Sequence, residues 1–365
     1  MKHVMERLFK GSFATAFVSI LLGLLLAGVI LMLGGYNPFT AYGSLFAGIF
    51  GSPYLMGETI RQITPLILTG LSVAFAFRTG LFNIGTEGQF MVGQLAAVAV
   101  GSMINLPWFL HVPTAIMAAI LAGGIWGAIP GYLKAKRGVH EVITTIMMNW
   151  IGLILVNHLI RTYLKGQGER TVNIHDTASL SVDWLSQLFG GARIHLGIVV
   201  ALLAAVLMYF LLWRTTKGFE LRAVGHNIHG AEYAGMKVNQ NMVLSMAISG
   251  AFAGIAGASE GLGVYGYMAI SATFPGFGFD GIAVALIGGN TSIGIILGAI
   301  LFGGLTFGAK SMQMAADVPY EIIRIVIALV IFFVASSGFV SSLIDKVIKP
   351  FTGGKKGGAT HGNPR

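Results

Sequence analysis

The chain has 365 residues, of which 55% are hydrophobic and 10% charged, with a formal net charge of +9 at pH 7 and a mean hydropathy of +0.78. So few polar residues cannot coat a soluble globule of this length, and a lipid bilayer is the expected solvent. The absence of cysteine excludes disulfides and thiolate metal sites. The excess of cations lies in segments between apolar runs, where the positive-inside bias accounts for it without nucleic acid.

Apolar runs long enough to cross a hydrocarbon core of about 30 Å, which takes roughly 20 helical residues, begin near Phe13, Ile60, Ile84, Val112, Val142, Leu196, Met242, Ser292 and Tyr320. Lys2, Arg7 and Lys10 precede the first run, which reaches about Leu33; it exceeds the apolar core of a cleaved leader and reads as a retained helix. Cations recur at Lys134, Lys136 and Arg137, at Arg214, Lys217, Arg222 and Lys237, and at Lys346, Lys349, Lys355 and Lys356. These segments are expected on the cytoplasmic side, which places both termini inside and the mixed-charge stretch 161–195 outside. Parity then requires one further crossing, and FDGIAVALIGG at 279–289 is its natural place, too short for a full span. The expected fold is all-α and polytopic, with about ten transmembrane helices including one short or broken helix, in the bacterial cytoplasmic membrane. Residues 1–345 form the permease domain, interrupted by a cytoplasmic loop at 214–240, and the glycine-rich stretch 346–365 is expected to be a disordered cytoplasmic tail.

The 52 glycines recur at four-residue spacing, as in Gly123, Gly127 and Gly131, Gly250 and Gly254, Gly257 and Gly261, and Gly294 and Gly298. Small residues so spaced let helix backbones approach closely in lipid, where apolar burial contributes little to association. The sequence contains neither a GxxxxGK[ST] phosphate loop nor HExxH histidine spacing. No catalytic residue, metal or cofactor is therefore expected in this chain, and the energy for any transport must come from a partner or an ion gradient.

Polar residues within apolar segments carry the functional reading. In FRTGLFNIGTEGQ (77–89), Thr86 and Gln89 have the form of a capping box, and Glu87 complements a helix N-terminus. Asn83, Glu87 and Gln89 are equally placed to face the bundle interior and a polar solute. Glu141, Thr145 and Asn149 share roughly one helical face. Glu260 interrupts the seventh run, and Asp280 opens the short helix. Charges near mid-bilayer cost about 2.5 to 3.5 kcal/mol on insertion scales, so Asn83, Glu87, Gln89, Glu141, Asn149 and Glu260 are candidates for a translocation path, with ion pairs and helix caps as the structural alternative.

The runs ETIRQITPLILTGLSVAFAFRTGLFNIGTEGQF (58–90), HEVITTIMMNW (140–150), TTKGFELRAVGHNIHGAEYAGMKVNQN (215–241), ISGAFAGIAGASEGLG (248–263) and GFDGIAVALIGGN (278–290) resemble the permeases of bacterial nucleoside and simple-sugar ABC importers. The likeness is strongest to purine-nucleoside permeases that work with a BMP-type lipoprotein. The resemblance implies an ATP-driven importer in which a binding lipoprotein delivers solute, a second homologous permease completes the path as a heterodimer, and a cytosolic ATPase consumes ATP-Mg. Carried onto this chain, the ATPase-coupling segment falls on Leu221, Arg222, Ala223, Val224, Gly225, Asn227, Ala231, Tyr233, Ala234 and Gly235. The implied cargo is a nucleoside such as guanosine, with ribose or another sugar as the alternative. The competing class is an ion-coupled secondary transporter using Glu87, Glu141 or Glu260, which leaves the loop without a role.

Overall fold

The computed structural model describes residues 12–336 together with 338 and 340. The expected tail at 346–365 and the terminal cations from Lys2 to Lys10 and from Lys346 to Lys356 lie outside these residues. In chain order the helices are α1 (Ser12–Leu33), α2 (Pro38–Phe50), α3 (Pro53–Arg78), α4 (Thr86–Met103), α5 (Trp108–Arg137), α6 (Glu141–Leu159), α7 (Asp183–Leu188), α8 (Gly197–Arg214), α9 (Thr216–His226), α10 (Ile228–Tyr233), α11 (Val238–Glu260), α12 (Phe277–Ile287), α13 (Ser292–Ala316) and α14 (Tyr320–Ala335). Pairing among the described residues outside helices is limited to isolated bridges, such as Arg170 with Ala269 and Ser181 with His195.

Six stretches among the described residues are long and apolar enough to cross a membrane: Pro53–Arg78, Trp108–Arg137, Glu141–Leu164, Gly197–Arg214, Val238–Tyr265 and Ser292–Ala316. The third of these continues α6 through a π-helical turn, Ile160–Leu164, and α11 continues likewise through Gly261–Tyr265. The stretch 279–289, expected as a short crossing, is helical as α12, an apolar helix of 11 residues. Helix α2, with 13 residues, has no counterpart among the expected runs, because it falls short of the roughly 20 residues a crossing takes.

Local chemistry sets the helix ends. Pro53 at the start of α3 has no N–H to orphan, and Ser52 Oγ accepts from Leu55 N at 3.2 Å. Helix α5 stops at Gly138, whose φ of 66° terminates it after Lys134, Lys136 and Arg137, cations suited to the negative end of the dipole.

By packing, the described residues fall into two units. One comprises the residues up to Phe39 and from Val318 onward, and the other Thr40–Asp317. In the first, α1 lies against α14, with Gly23 backed onto the main chain of Val330. The core of the second is α11 laid against α4 and α5. Here the glycine spacing has a direct consequence: Gly123 and Gly127 of α5 meet Gly250 and Gly254 of α11 backbone to backbone, and Gly93 of α4 closes on Gly254, so a methyl group at these positions would collide with main chain. Close approach of this kind replaces hydrophobic drive in lipid. Below the glycine seam, Ala76, Leu81, Val224, Ala231, Met242 and Met246 form an apolar cluster that anchors α9 and α10 to the bundle.

Candidate translocation site

Four of the sequence candidates converge on one buried network. Asn83 occupies the turn between α3 and α4: its Oδ1 accepts from Gly85 N at 3.0 Å and from Gln89 Nε2 at 3.2 Å. Its Nδ2 donates to Gln89 Oε1 at 2.8 Å and to Ser249 Oγ at 2.8 Å. Ser249 passes the link on, its hydroxyl donating to Ser72 O at 2.7 Å. Asn149 of α6 accepts from Gly88 N at 2.8 Å and donates to Ile84 O at 3.0 Å, so it clasps the first turn of α4 from the side.

The capping box read from Thr86 and Gln89 does not form. Gly85 is the N-cap residue and contributes no side-chain bond, while the Thr86 hydroxyl donates backward to Asn83 O at 3.2 Å. The amide of Gln89 is taken by Asn83 instead, because a buried side-chain amide with four hydrogen-bonding sites is satisfied better by another amide than by one backbone group. Glu87 does meet a helix N-terminus, but that of another helix: its carboxylate accepts from Gly276 N at 2.6 Å and Gly278 N at 2.5 Å, the two amides that open α12. Glu87 thus fixes where the short helix begins, with an anion at the positive end of its dipole.

Glu141 lies apart from this network. It pairs with Lys134 at 2.8 Å, closing the turn between α5 and α6. A cavity of about 310 Å³ there is lined also by Gly225, His226 and His229.

Glu260, at the end of α11, belongs to a charge cluster that the sequence reading missed. Arg61 of α3 donates through Nε to Glu58 at 3.1 Å and brings another guanidinium nitrogen to 3.7 Å from Glu260. Arg193, from the segment before α8, donates to Glu58 Oε2 at 2.8 Å and to Oε1 at 3.1 Å. Two guanidinium groups thus compensate two carboxylates. The sequence carried a trace of this in Glu58 and Arg61, three residues apart inside an apolar run. Beside Arg61 stands His195, whose ring is buried and whose pKa is pushed from 6.5 down to about 4 by burial and by the Arg61 charge. A cavity of about 450 Å³ opens next to this cluster, lined by Glu260 and by none of Asn83, Glu87, Gln89 or Asn149.

The loop at 214–240 folds into two capped helices. Thr215 Oγ1 accepts from Gly218 N at 2.9 Å and opens α9, and Asn227 Oδ1 accepts from Gly230 N at 3.0 Å and opens α10. Lys217 donates to Glu220 at 2.8 Å and Asn241 donates to it at 3.0 Å; these partners hold the half-buried Glu220 carboxyl below its ordinary range. The ten residues singled out in this segment divide by burial. Leu221, Val224 and Ala231 are buried against the bundle, Arg222, Ala223 and Gly225 are half-buried, and Asn227, Tyr233, Ala234 and Gly235 are exposed. Arg222 lies over the Trp213 ring at 4.0 Å. Gly225 faces the carbonyl of Arg78 and the backbone of Thr79 and Gly80. The outward face is therefore 226–230 and 232–235, with Tyr233 98% exposed.

A bundle of apolar helices sealed by glycine contacts, with a buried polar interior and a capped helical loop outside it, defines a multi-pass membrane permease. The chain belongs to the family described as branched-chain amino acid transport system / permease component, whose model matches residues 55–335. It is 54% identical over 332 residues to the guanosine ABC transporter permease protein NupP of Bacillus subtilis (strain 168), covering 91% of this chain and 95% of the relative. It is 37% identical to the nucleoside ABC transporter permease protein NupB of Lactococcus lactis subsp. cremoris (strain MG1363), covering 90% and 92%. The glucose ABC transporter permease protein TsgB13 of Haloferax volcanii is 33% identical, covering 90% and 88%.

Proposed function

We propose that this chain is the membrane-embedded permease of an ATP-driven importer that carries nucleosides, guanosine among them, across the bacterial cytoplasmic membrane. The observation that carries the reading is the 54% identity to a guanosine permease across nearly the whole of both chains. The sugar alternative draws on the 33% identity to a glucose permease and ranks second on that difference. About ten crossings with both termini inside, a cytosolic ATPase that binds and hydrolyses ATP-Mg, an extracytoplasmic binding lipoprotein and a second permease as heterodimer partner complete the assembly.

Within it, the exposed face of α9 and α10 meets the ATPase, with Tyr233 as the aromatic anchor that interfaces of this kind use. Buried Leu221, Val224 and Ala231 make the loop rigid enough to transmit a displacement into the bundle through Gly80 and Gly225. Asn83, Glu87, Gln89 and Asn149 shape the path by fixing the start of α4 and α12, whereas Glu260 is the candidate that meets the cavity. Uptake of radiolabelled guanosine by cells carrying the whole system, with unlabelled nucleosides and sugars as competitors, tests the reading. Competition by nucleosides and not by ribose or glucose is expected; competition by a sugar alone overturns it.

A further inference from the structure

Glu260 is balanced in charge and starved of hydrogen bonds. Its side chain is 1% exposed, and neither carboxylate oxygen has a hydrogen-bond partner within the chain. Arg61 neutralises it from 3.7 Å, beyond hydrogen-bonding reach, because that guanidinium is oriented by its bond to Glu58. A buried carboxylate left without donors bears its full desolvation cost, and such groups in native proteins call for an explanation.

The explanation lies in the cavity that Glu260 lines. At about 450 Å³ it falls within the roughly 300–1,000 Å³ of small-molecule sites. Gln94 also lines it, and so do two aromatic pairs, Phe90 with Phe277 at 5.6 Å between ring centroids and Tyr265 with Tyr267 at 6.2 Å. Its outer wall, 268–271, is held down by paired backbone and side-chain bonds from Thr171 and from Asn157, so the cavity is framed on both sides. Aromatic faces stack on any base, whereas hydrogen-bonding edges discriminate between bases.

We infer that this cavity is a base-reading waypoint of the translocation path, in which Glu260 accepts the paired N–H donors of a guanine edge while the aromatic pairs hold the ring. The inference rests on the nucleoside reading above. Guanine offers two parallel donors, N1–H and the exocyclic N2 amine, which match the two oxygens of a carboxylate. Adenine offers a donor beside an acceptor and cannot satisfy both. Arg61 makes the arrangement affordable in lipid by cancelling the charge, so the ligand supplies hydrogen bonds and not countercharge.

The test is uptake of guanosine and adenosine by the complete transporter carrying Glu260→Gln, with membrane levels measured in parallel. The amide turns an N–H toward a guanine donor yet matches the adenine edge. Guanosine uptake is expected to fall about tenfold or more, the loss of one charge-assisted hydrogen bond, with adenosine uptake changed less than about twofold. Tyr265→Leu is expected to lower both by the same factor, since stacking does not distinguish bases. If Glu260→Gln does not accumulate, Glu260→Asp keeps the charge against Arg61 while withdrawing the oxygens, and the same contrast is expected. Equal loss of guanosine and adenosine overturns the inference, and so does parental selectivity against 2′-deoxyguanosine as strong as that against adenosine, which would assign the carboxylate to the ribose diol. A parental transporter that takes up no nucleoside fails at the functional reading itself.

Discussion

At the scale of single residues, buried polarity among the described residues divides into groups that the chain satisfies and a few that it does not, of which Glu260 is the one with both carboxylate oxygens unpartnered. Asn83 is fully partnered, so Asn83→Ala strands the Gln89 amide and the Gly85 N–H together, while Ser249 keeps its bond to Ser72 O. Each buried group left unpaired costs about 1 to 3 kcal/mol, and the thermal midpoint of the detergent-purified protein is expected to drop by several degrees. An unchanged midpoint with reduced uptake would return Asn83 to the path surface. Glu87→Gln is expected to weaken the start of α12, because an amide presents one acceptor where two backbone N–H groups converge. Stability and uptake should therefore fall together. His195 supplies a pH dependence. Its folded pKa of about 4 lies below the ordinary 6.5, so the unfolded chain binds the extra proton first. The stability it contributes is complete above 6.5 and is lost as pH falls from 6.5 through 4. Hydrogen exchange across 179–195 should accelerate over that window, and His195→Gln should flatten the response.

At the scale of elements, the sequence was most legible where composition acts through a simple rule. Charge parity together with the short apolar run at 279–289 points to the helix found at Phe277–Ile287, and the four-residue glycine spacing of α5 and α11 marks the seam where their backbones meet. Which polar side chain meets which was less legible, since it depends on contacts distant in sequence: Glu87 to Gly278 and Arg193 to Glu58 span 191 and 135 positions. The loop at 214–240 shows the same limit. Its cations are readable from the sequence, whereas the inward facing of Leu221, Val224 and Gly225 is not. Gly225→Trp, which from sequence alone would probe a partner surface, is instead expected to reduce the amount of folded permease, because even a Cβ there strikes the Arg78 carbonyl. Tyr233→Ala is the variant that reports on docking. Membrane levels should be unchanged while the permease-stimulated ATPase rate falls about fivefold or more, the loss of one exposed aromatic anchor. Equal stimulation by both proteins would move the docking surface elsewhere.

At the scale of the whole molecule, the proposed orientation rests on the positive-inside bias of cations such as Lys134, Lys136, Arg137, Arg214 and Lys217. Cysteines introduced singly into the natural cysteine-free background at Ser181 and Asn227 should label from opposite sides, Ser181 in intact cells and Asn227 only after the membrane is opened. The central claim is that ATP, consumed by a partner, drives a nucleoside through this chain. The measurement that tests it most directly is guanosine uptake into proteoliposomes holding the permease, its companion permease, the ATPase and the lipoprotein. The account predicts uptake that requires ATP inside the coupling compartment, ceases with a hydrolysis-defective ATPase and is indifferent to imposed proton or sodium gradients. Uptake that follows an ion gradient and persists without ATP would contradict it.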